Sequence, residues 1–119
     1  MKNLLAETLK DLHAKTIDEA APLIEWVRIN YVKGCKPVHT ILHPNHTISE
    51  CGEVLEQLNF NYNNHFSGTQ ITGTIMLKDG SWLRRDRVLD RECWLHYRVP
   101  KFECEPFNWN NEKDSNKNI

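Results

Sequence analysis

The sequence lacks the features that mark membrane, secreted and nucleic-acid-coating proteins. It contains no run of about 18 apolar residues, and Glu7, Lys10 and Asp11 interrupt the N-terminal segment, so neither a spanning helix nor a secretion signal is predicted. The formal net charge of −1 differs from the strong positive field of proteins that coat nucleic acid. We therefore expect a cytoplasmic protein with no membrane contact and no long nucleic acid as a partner.

The usual catalytic and disulfide motifs are absent as well. The four cysteines form no CxxC pair and are expected to be free thiols: Cys35, Cys51, Cys93 and Cys104. The sequence has no GxSxG, P-loop, GxGxxG or DxDG motif. Cys93 and His96 are three positions apart in a predicted strand, so their side chains would point to opposite faces. The sequence therefore predicts a protein that is not an enzyme and needs no cofactor.

Length and composition predict one domain. The chain has 119 residues, of which 26% are charged and 39% hydrophobic, as in an ordinary globular protein. We place the domain at residues 1–104 and a polar tail at 105–119, whose last ten residues are expected to be disordered. Phe107 and Trp109 of the tail could dock on the domain or on a neighbouring molecule.

Three helices are predicted before most of the strands. Leucines at helical spacing indicate a helix from residue 3 to about 14. Thr16 and Glu19 form a capping box that begins a second helix, which Gly34 ends and at whose buried edge Arg28 lies. Its apolar stripe is Leu23, Ile24, Val27 and Tyr31. Thr47 and Glu50 form the capping box of a third helix.

Strands are predicted at residues 36–43, 59–66 and 69–78, and in two segments that follow Asp79-Gly80. This order indicates an α+β fold, with N-terminal helices followed by an antiparallel sheet of about four or five strands. Asp79-Gly80 predicts a two-residue type I′ turn, because both central positions of that turn need positive φ. The resulting register pairs Leu77 with Trp82, Ile75 with Arg84 and Thr74 with Arg85.

This register predicts a polar sheet face that could bind a ligand. Arg85 would lie on the wetter face beside Thr72 and Thr74, where a planar guanidinium suits phosphate or carboxylate oxygens. Trp94, His96 and Arg98 would join that face from the last strand, whereas Trp82 would pack against the core. Together these residues offer an indole for stacking and two arginines for phosphates. The alternative is that the arginines are solvated or paired and that the tryptophans belong to the core.

A cluster of metal-binding residue types leaves open a second alternative, a small metal-dependent enzyme. Three histidines, His39, His43 and His46, lie between Cys35 and Cys51. His39 and His43 would be roughly 13 Å apart along a strand, too far for one metal ion, so His43 with His46 is the better pair. Solvated loop histidines and a buried helix cysteine explain the cluster equally well.

The segment GTIMLKDGSWLRRDRVLDRECWLHYRVP resembles a recurrent segment of small bacteriophage-encoded proteins. The matching residues are Gly73, Thr74, Lys78, Asp79, Gly80, Ser81, Trp82, Arg85, Glu92, Trp94 and Pro100. Within that group the layout is similar to the Thoeris anti-defence proteins of the first type. The resemblance implies an oligomeric sponge that sequesters a cyclic ADP-ribose signal or a cyclic oligonucleotide without turnover, in pockets between subunits lined by arginines and an aromatic residue.

The resulting hypothesis is an anti-defence protein that holds a small phosphorylated nucleotide signal in the host cytoplasm. Arg85 and Arg98 would hold the phosphates beside Thr74, and Trp82 or Trp94 would stack on the base. Arg28 would reach the site from a neighbouring subunit of a homo-oligomer. A rival hypothesis is a phage inhibitor that blocks a host protein, such as a defence nuclease or CRISPR effector, through the tail and the asparagine-rich strand.

Overall fold

The computed structural model describes residues 2–33, 36–62 and 71–99, which form an α+β fold. Its helices are α1 (Leu4–Asp11), α2 (Ile17–Ala20), continued by a 3₁₀ turn (Ala21–Leu23), and α3 (Ile48–Glu56). Its strands are β1 (Lys2–Asn3), β2 (Ile24–Lys33), β3 (Lys36–Leu42), β4 (Asn61–Tyr62), β5 (Ile71–Leu77), β6 (Trp82–Val88) and β7 (Arg91–Tyr97). The predicted fold class is confirmed.

The main sheet has five antiparallel strands in the order β3-β2-β5-β6-β7, and β1 pairs with β4 in a separate two-stranded sheet. One face of the main sheet, here called the inner face, packs against the helices. Ile29, Ile75 and Leu83 of this face are fully buried in one core with Leu4 of α1 and Leu55 of α3. The opposite face is called the outer face.

Local sequence signals account for α1 and α3. Asn3 caps α1 by accepting a hydrogen bond from the Ala6 amide at 2.9 Å. Thr47 and Glu50 form the reciprocal capping box at the start of α3, as predicted. Each cap satisfies amides that a helix cannot pair internally, so both helix starts are determined by a few adjacent residues.

The prediction of a long second helix is wrong. Thr16 does cap a helix, but α2 has only four residues, and β2 occupies residues 24–33. Val27, Ile29 and Tyr31 are buried and alternate with exposed residues, which is the period of a strand. A register shift between Ile24 and Trp26 brings Ile24 to the buried side, and this irregularity imitates helical spacing in the sequence.

The predicted register of the β5–β6 hairpin is wrong by one residue. The Leu77 amide bonds to the Ser81 carbonyl, so Lys78, Asp79 and Gly80 form a three-residue loop. Gly80 has a φ of 90°, whereas Asp79 lacks the positive φ that a type I′ turn needs. Thr74 consequently pairs with Arg84 and Ile75 with Leu83. A shift of one residue moves every side chain of β6 to the other face, relative to the prediction.

Some predictions concern residues outside the described ranges. Of the strand predicted at 59–66, the structure describes Asn61–Tyr62 as β4, and residues 63–70 lie outside. The polar tail at 105–119, with Phe107 and Trp109, also lies outside, as do Cys35 and Cys104. Both described cysteines, Cys51 and Cys93, are free thiols. Among the described helices, none is long and apolar enough to cross a membrane.

Candidate functional site on the outer face of the sheet

The structure separates the residues that were predicted to form one site. Arg85 and Trp94 lie on the inner face and are buried, which contradicts their assignment to the wet face. Trp82, predicted to be core, lies on the outer face with Thr74 and Arg28. Arg98 follows the end of β7 and lines a pocket with His96, away from Thr74. The shifted hairpin register accounts for the exchange of Trp82 and Arg85 between faces.

Arg85 serves the interior of the protein. Its side chain is 1% exposed and forms ion pairs with Glu7 at 3.5 Å and Glu92 at 3.7 Å. Its Nη2 donates to the Tyr62 hydroxyl at 2.8 Å, and the guanidinium lies over the Trp94 ring, 5.0 Å from the centroid. These contacts occupy the charge and the flat surface of the guanidinium, so Arg85 is not placed to hold an external phosphate.

The groups around Arg85 form a buried polar network. The Tyr62 hydroxyl donates to Glu7, and burial followed by this hydrogen bond raises the Tyr62 pKa well above its ordinary value of 10.0. Glu92 accepts the Ile71 amide at 3.1 Å, and the Trp94 indole donates to Thr8 at 2.9 Å. The network joins α1, β4, β6 and β7. It accounts for the burial of charged and polar groups in an otherwise apolar core.

Arginines project from a continuous row across the outer face. Cross-strand pairing aligns one residue from each strand, in the order Ile41, Arg28, Thr74, Arg84 and Leu95. Arg28 and Arg84 are exposed, and the half-buried Thr74 lies between them. Two strand spacings place their backbones roughly 10 Å apart, close enough for both long side chains to reach one ligand. We call Arg28, Thr74 and Arg84 the arginine row.

An aromatic row runs beside the arginine row, one pleat further along the strands. It consists of Trp26, Met76, Trp82 and Tyr97, each paired with the next across neighbouring strands. All four are half-buried although they point away from the core. Trp82 and Tyr97 stack with their ring centroids 5.8 Å apart and their planes 15° apart. The described helices contribute their buried residues to the inner-face core, so the described part of the chain leaves both rows uncovered.

A groove of about 260 Å³ lies where the two rows reach the β2–β3 end of the sheet. Its walls include Trp26, Arg28, Ile41, His43 and Pro44. The groove thus combines an indole, an aliphatic side chain and a guanidinium within one concave surface. This combination suits a ligand that has both a flat ring and an anionic group.

Gly73 permits the close approach of β2 and β5 beside the arginine row. It pairs with Ile29 and has a φ of 145°. A Cβ at this position would lie 2.2 Å from the Arg28 carbonyl oxygen and 2.7 Å from the Ile29 Cα. Only glycine fits without a shift of backbone, so Gly73 helps to place Arg28 next to Thr74.

The histidines of the metal hypothesis contact different parts of the chain. His39 Nδ1 contacts the Asn30 side chain, whereas His46 contacts the Glu25 and Thr47 carbonyls at 3.1 Å. Over residues 2–33, 36–62 and 71–99, no group of three or more His, Cys, Asp or Glu side chains is arranged to hold a metal ion. His43 instead lines the groove beside Trp26.

Sequence reasoning missed Trp26, Arg84 and Tyr97 as members of the outer face. The alternation of Val27, Ile29 and Tyr31 was the available signal for β2. Interpreted as a strand, this segment places Arg28 and Asn30 together on the exposed face. Placing Arg84 required the length of the hairpin loop, which the Asp-Gly pair alone did not determine.

No family model, curated protein or solved structure matches this chain. The chemistry of the outer face is therefore the basis on which a function is proposed.

Proposed function

We propose that the protein binds a small phosphorylated nucleotide on the outer face of the sheet and does not turn it over. The observation that carries this proposal is the arginine row, Arg28, Thr74 and Arg84, lying beside the aromatic row on a face that the described helices leave open. Phosphate and ring recognition are thereby available side by side, as a nucleotide requires.

The arginine row would hold the phosphates. Arg28 and Arg84 each present a planar fork of donors, and the Thr74 hydroxyl between them can donate to a phosphate oxygen. A hydrogen bond to a charged group contributes roughly 1.5–3 kcal/mol, so two arginines provide enough differential affinity to favour a phosphorylated ligand over its nucleoside. No metal ion is needed to neutralise the phosphates in this scheme.

The aromatic row would hold the base. Trp26 in the groove and Trp82 in the row both present indole surface to the outer face, and stacking of a base on an aromatic side chain contributes about 1–3 kcal/mol. Stacking is tolerant of base identity, because every base has a flat face. Ligand choice would then depend mainly on the spacing of phosphates against the arginine row.

The resemblance to the Thoeris anti-defence proteins makes a cyclic ADP-ribose isomer the first ligand to test and a cyclic oligonucleotide the second. On this proposal the protein is a sponge in the host cytoplasm and forms a homo-oligomer. The proposed residues differ from those predicted from the sequence: Arg84 replaces Arg85 and Trp26 replaces Trp94, because Arg85 and Trp94 are buried, and Arg98 is left out because it lines a different pocket. Arg28, Thr74 and Trp82 remain.

The test is release of intact ligand. The purified protein is incubated with the product of an active bacterial TIR protein, freed of unbound nucleotide and heated, and the supernatant is analysed by mass spectrometry. We expect intact nucleotide from the wild type and at least tenfold less from Arg84→Gln or Arg28→Gln, because a lost charge-assisted contact exceeds about 1.4 kcal/mol. Arg91→Gln, which changes an exposed arginine outside both rows, is the matched control.

The other outcomes each contradict the proposal in a distinct way. Absence of nucleotide from the heated wild type would exclude tight binding of that signal. Consumption of the nucleotide would indicate an enzyme. A stable complex with a host protein that survives Arg84→Gln would favour the inhibitor hypothesis instead.

A further inference from the structure

A second concave site lies on the other side of the sheet, at the end of the β5–β6 hairpin. This cavity has a volume of about 450 Å³, within the roughly 300–1,000 Å³ range of small-molecule pockets. It is enclosed by the C-terminal end of α1, the 3₁₀ turn, the hairpin loop and the end of β7. We call it the hairpin pocket. It shares no lining residue with the groove on the outer face.

The hairpin pocket has apolar walls. Leu12 and Leu77 are 6% and 7% exposed, and Pro22 and Leu23 of the 3₁₀ turn complete the apolar lining. Leu23 is 42% exposed, which leaves apolar surface accessible to a ligand. These walls suit a compact apolar body of a few carbon atoms or one ring.

A chain of hydrogen bonds fixes the polar groups on one wall. The Ser81 hydroxyl donates to Asp79 at 2.5 Å and lies 2.9 Å from His96 Nε2. A hydroxyl has one proton, so His96 Nε2 must be the donor to Ser81 when Ser81 donates to Asp79. The Ser81 hydroxyl and amide also lower the Asp79 pKa, which keeps Asp79 ionised. Asp79 therefore already has hydrogen-bond partners in the pocket wall.

The two cations of the hairpin pocket do not have hydrogen-bond partners of this kind in the described part of the chain. Lys78 and Arg98 both line it, and within the described part of the chain neither side chain donates a hydrogen bond or forms an ion pair, although the charge of Arg98 adds to the Ser81 hydrogen bonds in lowering the Asp79 pKa. Asp11, at the end of α1, also lines the pocket, and burial followed by the neighbouring Glu7 raises its pKa. The pocket thus contains the cations of Lys78 and Arg98 and the carboxylates of Asp11 and Asp79. The Asp79 carboxylate is already hydrogen-bonded to Ser81.

We propose that the hairpin pocket binds a small organic carboxylate with a compact apolar body. Arg98 would take the carboxylate through its guanidinium fork, Lys78 would add a second positive charge, and Leu12 with Leu77 would contact the body. A singly charged group fits better than a phosphate ester, whose charge near −2 would be repelled by Asp11 and Asp79. This site is independent of nucleotide binding on the outer face.

The experiment uses the full chain and three fluorinated probes of equal ring size followed by fluorine NMR. These are para-fluorobenzoate, para-fluorobenzyl alcohol and para-fluorophenyl phosphate. We expect a saturable shift or broadening with the carboxylate alone. Arg98→Gln should weaken carboxylate binding at least tenfold, whereas Arg84→Gln on the outer face should leave it unchanged.

Four results would overturn the proposal. They are the absence of a saturable effect with the carboxylate, equal binding of the alcohol, tighter binding of the phosphate, and unchanged affinity in Arg98→Gln. Because Arg98 is exposed, its replacement should not impair folding, and Lys78→Gln, also at an exposed residue, provides a second measurement at the same pocket. If the fourth result is accompanied by loss of carboxylate binding in Arg84→Gln, the ligand lies on the outer face instead.

Discussion

Arg84 and Arg85 are adjacent in the sequence but lie on opposite faces of β6 and in opposite environments. The Arg85 side chain is 1% exposed, is paired with Glu7 and Glu92, and lies against Trp94. Arg84 is exposed on the outer face, next to Thr74. The same side chain therefore stabilises the interior on one face and remains available to a ligand on the other. Burial and partners separate the two roles, whereas residue type does not.

The buried arginine requires more of the protein than the exposed one. Removing a guanidinium from water is costly, and Arg85 offsets that cost only because two carboxylates and the Tyr62 hydroxyl surround it. Its Nε and Nη1 nonetheless make no hydrogen bond within the described residues. The exposed Arg84 has no such requirement, because its guanidinium stays in water.

The largest effect is expected from Arg85→Ala. Removal of one partner of a buried ion pair leaves uncompensated charge on Glu7 and Glu92 and should lower the free energy of unfolding by about 3–5 kcal/mol. Urea unfolding followed by tryptophan fluorescence measures this change. Adding Glu7→Gln and Glu92→Gln to the variant should recover part of the loss. An Arg85→Ala protein as stable as the wild type would show that the network does not contribute.

The next effect concerns the glycine that lets β2 and β5 approach closely. Gly73→Ala should lower the free energy of unfolding by about 2 kcal/mol or more, because the new Cβ meets the Arg28 and Ile29 backbone at a φ of 145°. Gly80→Ala is the control, since Gly80 also has positive φ but a Cβ there would meet no atom within 4 Å, and about 1 kcal/mol is expected. Equal losses in the two variants would refute the close approach.

A smaller effect should appear at alkaline pH. The Tyr62 pKa is raised in the folded state by burial and by the bond to Glu7, so the contribution of Tyr62 to stability is complete below pH 10.0, the ordinary tyrosine value, and declines above it. Urea midpoints compared at about pH 9 and pH 11 should fall more in the wild type than in Tyr62→Phe. Parallel declines would indicate that the Tyr62 hydroxyl is not part of the buried network.

The smallest effect on stability is expected from Arg84→Ala, for which the free energy of unfolding should stay within about 0.5 kcal/mol of the wild type. The same variant should lose the nucleotide released on heating. This pairing of unchanged stability with lost binding is the reverse of the result expected for Arg85→Ala. A large destabilisation by Arg84→Ala would show that the outer face is structural.

The parts of the fold that depend on adjacent residues could be predicted from the sequence. The helix cap at Thr16, the capping box at Thr47 and the strand at residues 36–42 are of this kind. The prediction of a long second helix was wrong because the irregularity after Ile24 gives the apolar residues of a strand a helix-like spacing. The prediction of the site residues was wrong because the face on which each β6 side chain lies depends on one residue of loop length. It also depends on contacts between distant segments, such as that of Glu7 with Arg85.

The three-residue loop of the hairpin has a consequence for how this protein can change over generations. Loss of one codon from the segment encoding Lys78, Asp79 and Gly80 would leave a two-residue loop that can still pair Leu77 with Ser81, so Arg84 and Arg85 would keep their faces. Loss of one codon from the start of β6 would instead pair Ile75 with Arg84 and Thr74 with Arg85, which would drive Arg84 inward and Arg85 outward. A change of length should therefore be tolerated far more readily in the loop than in the strand that follows it.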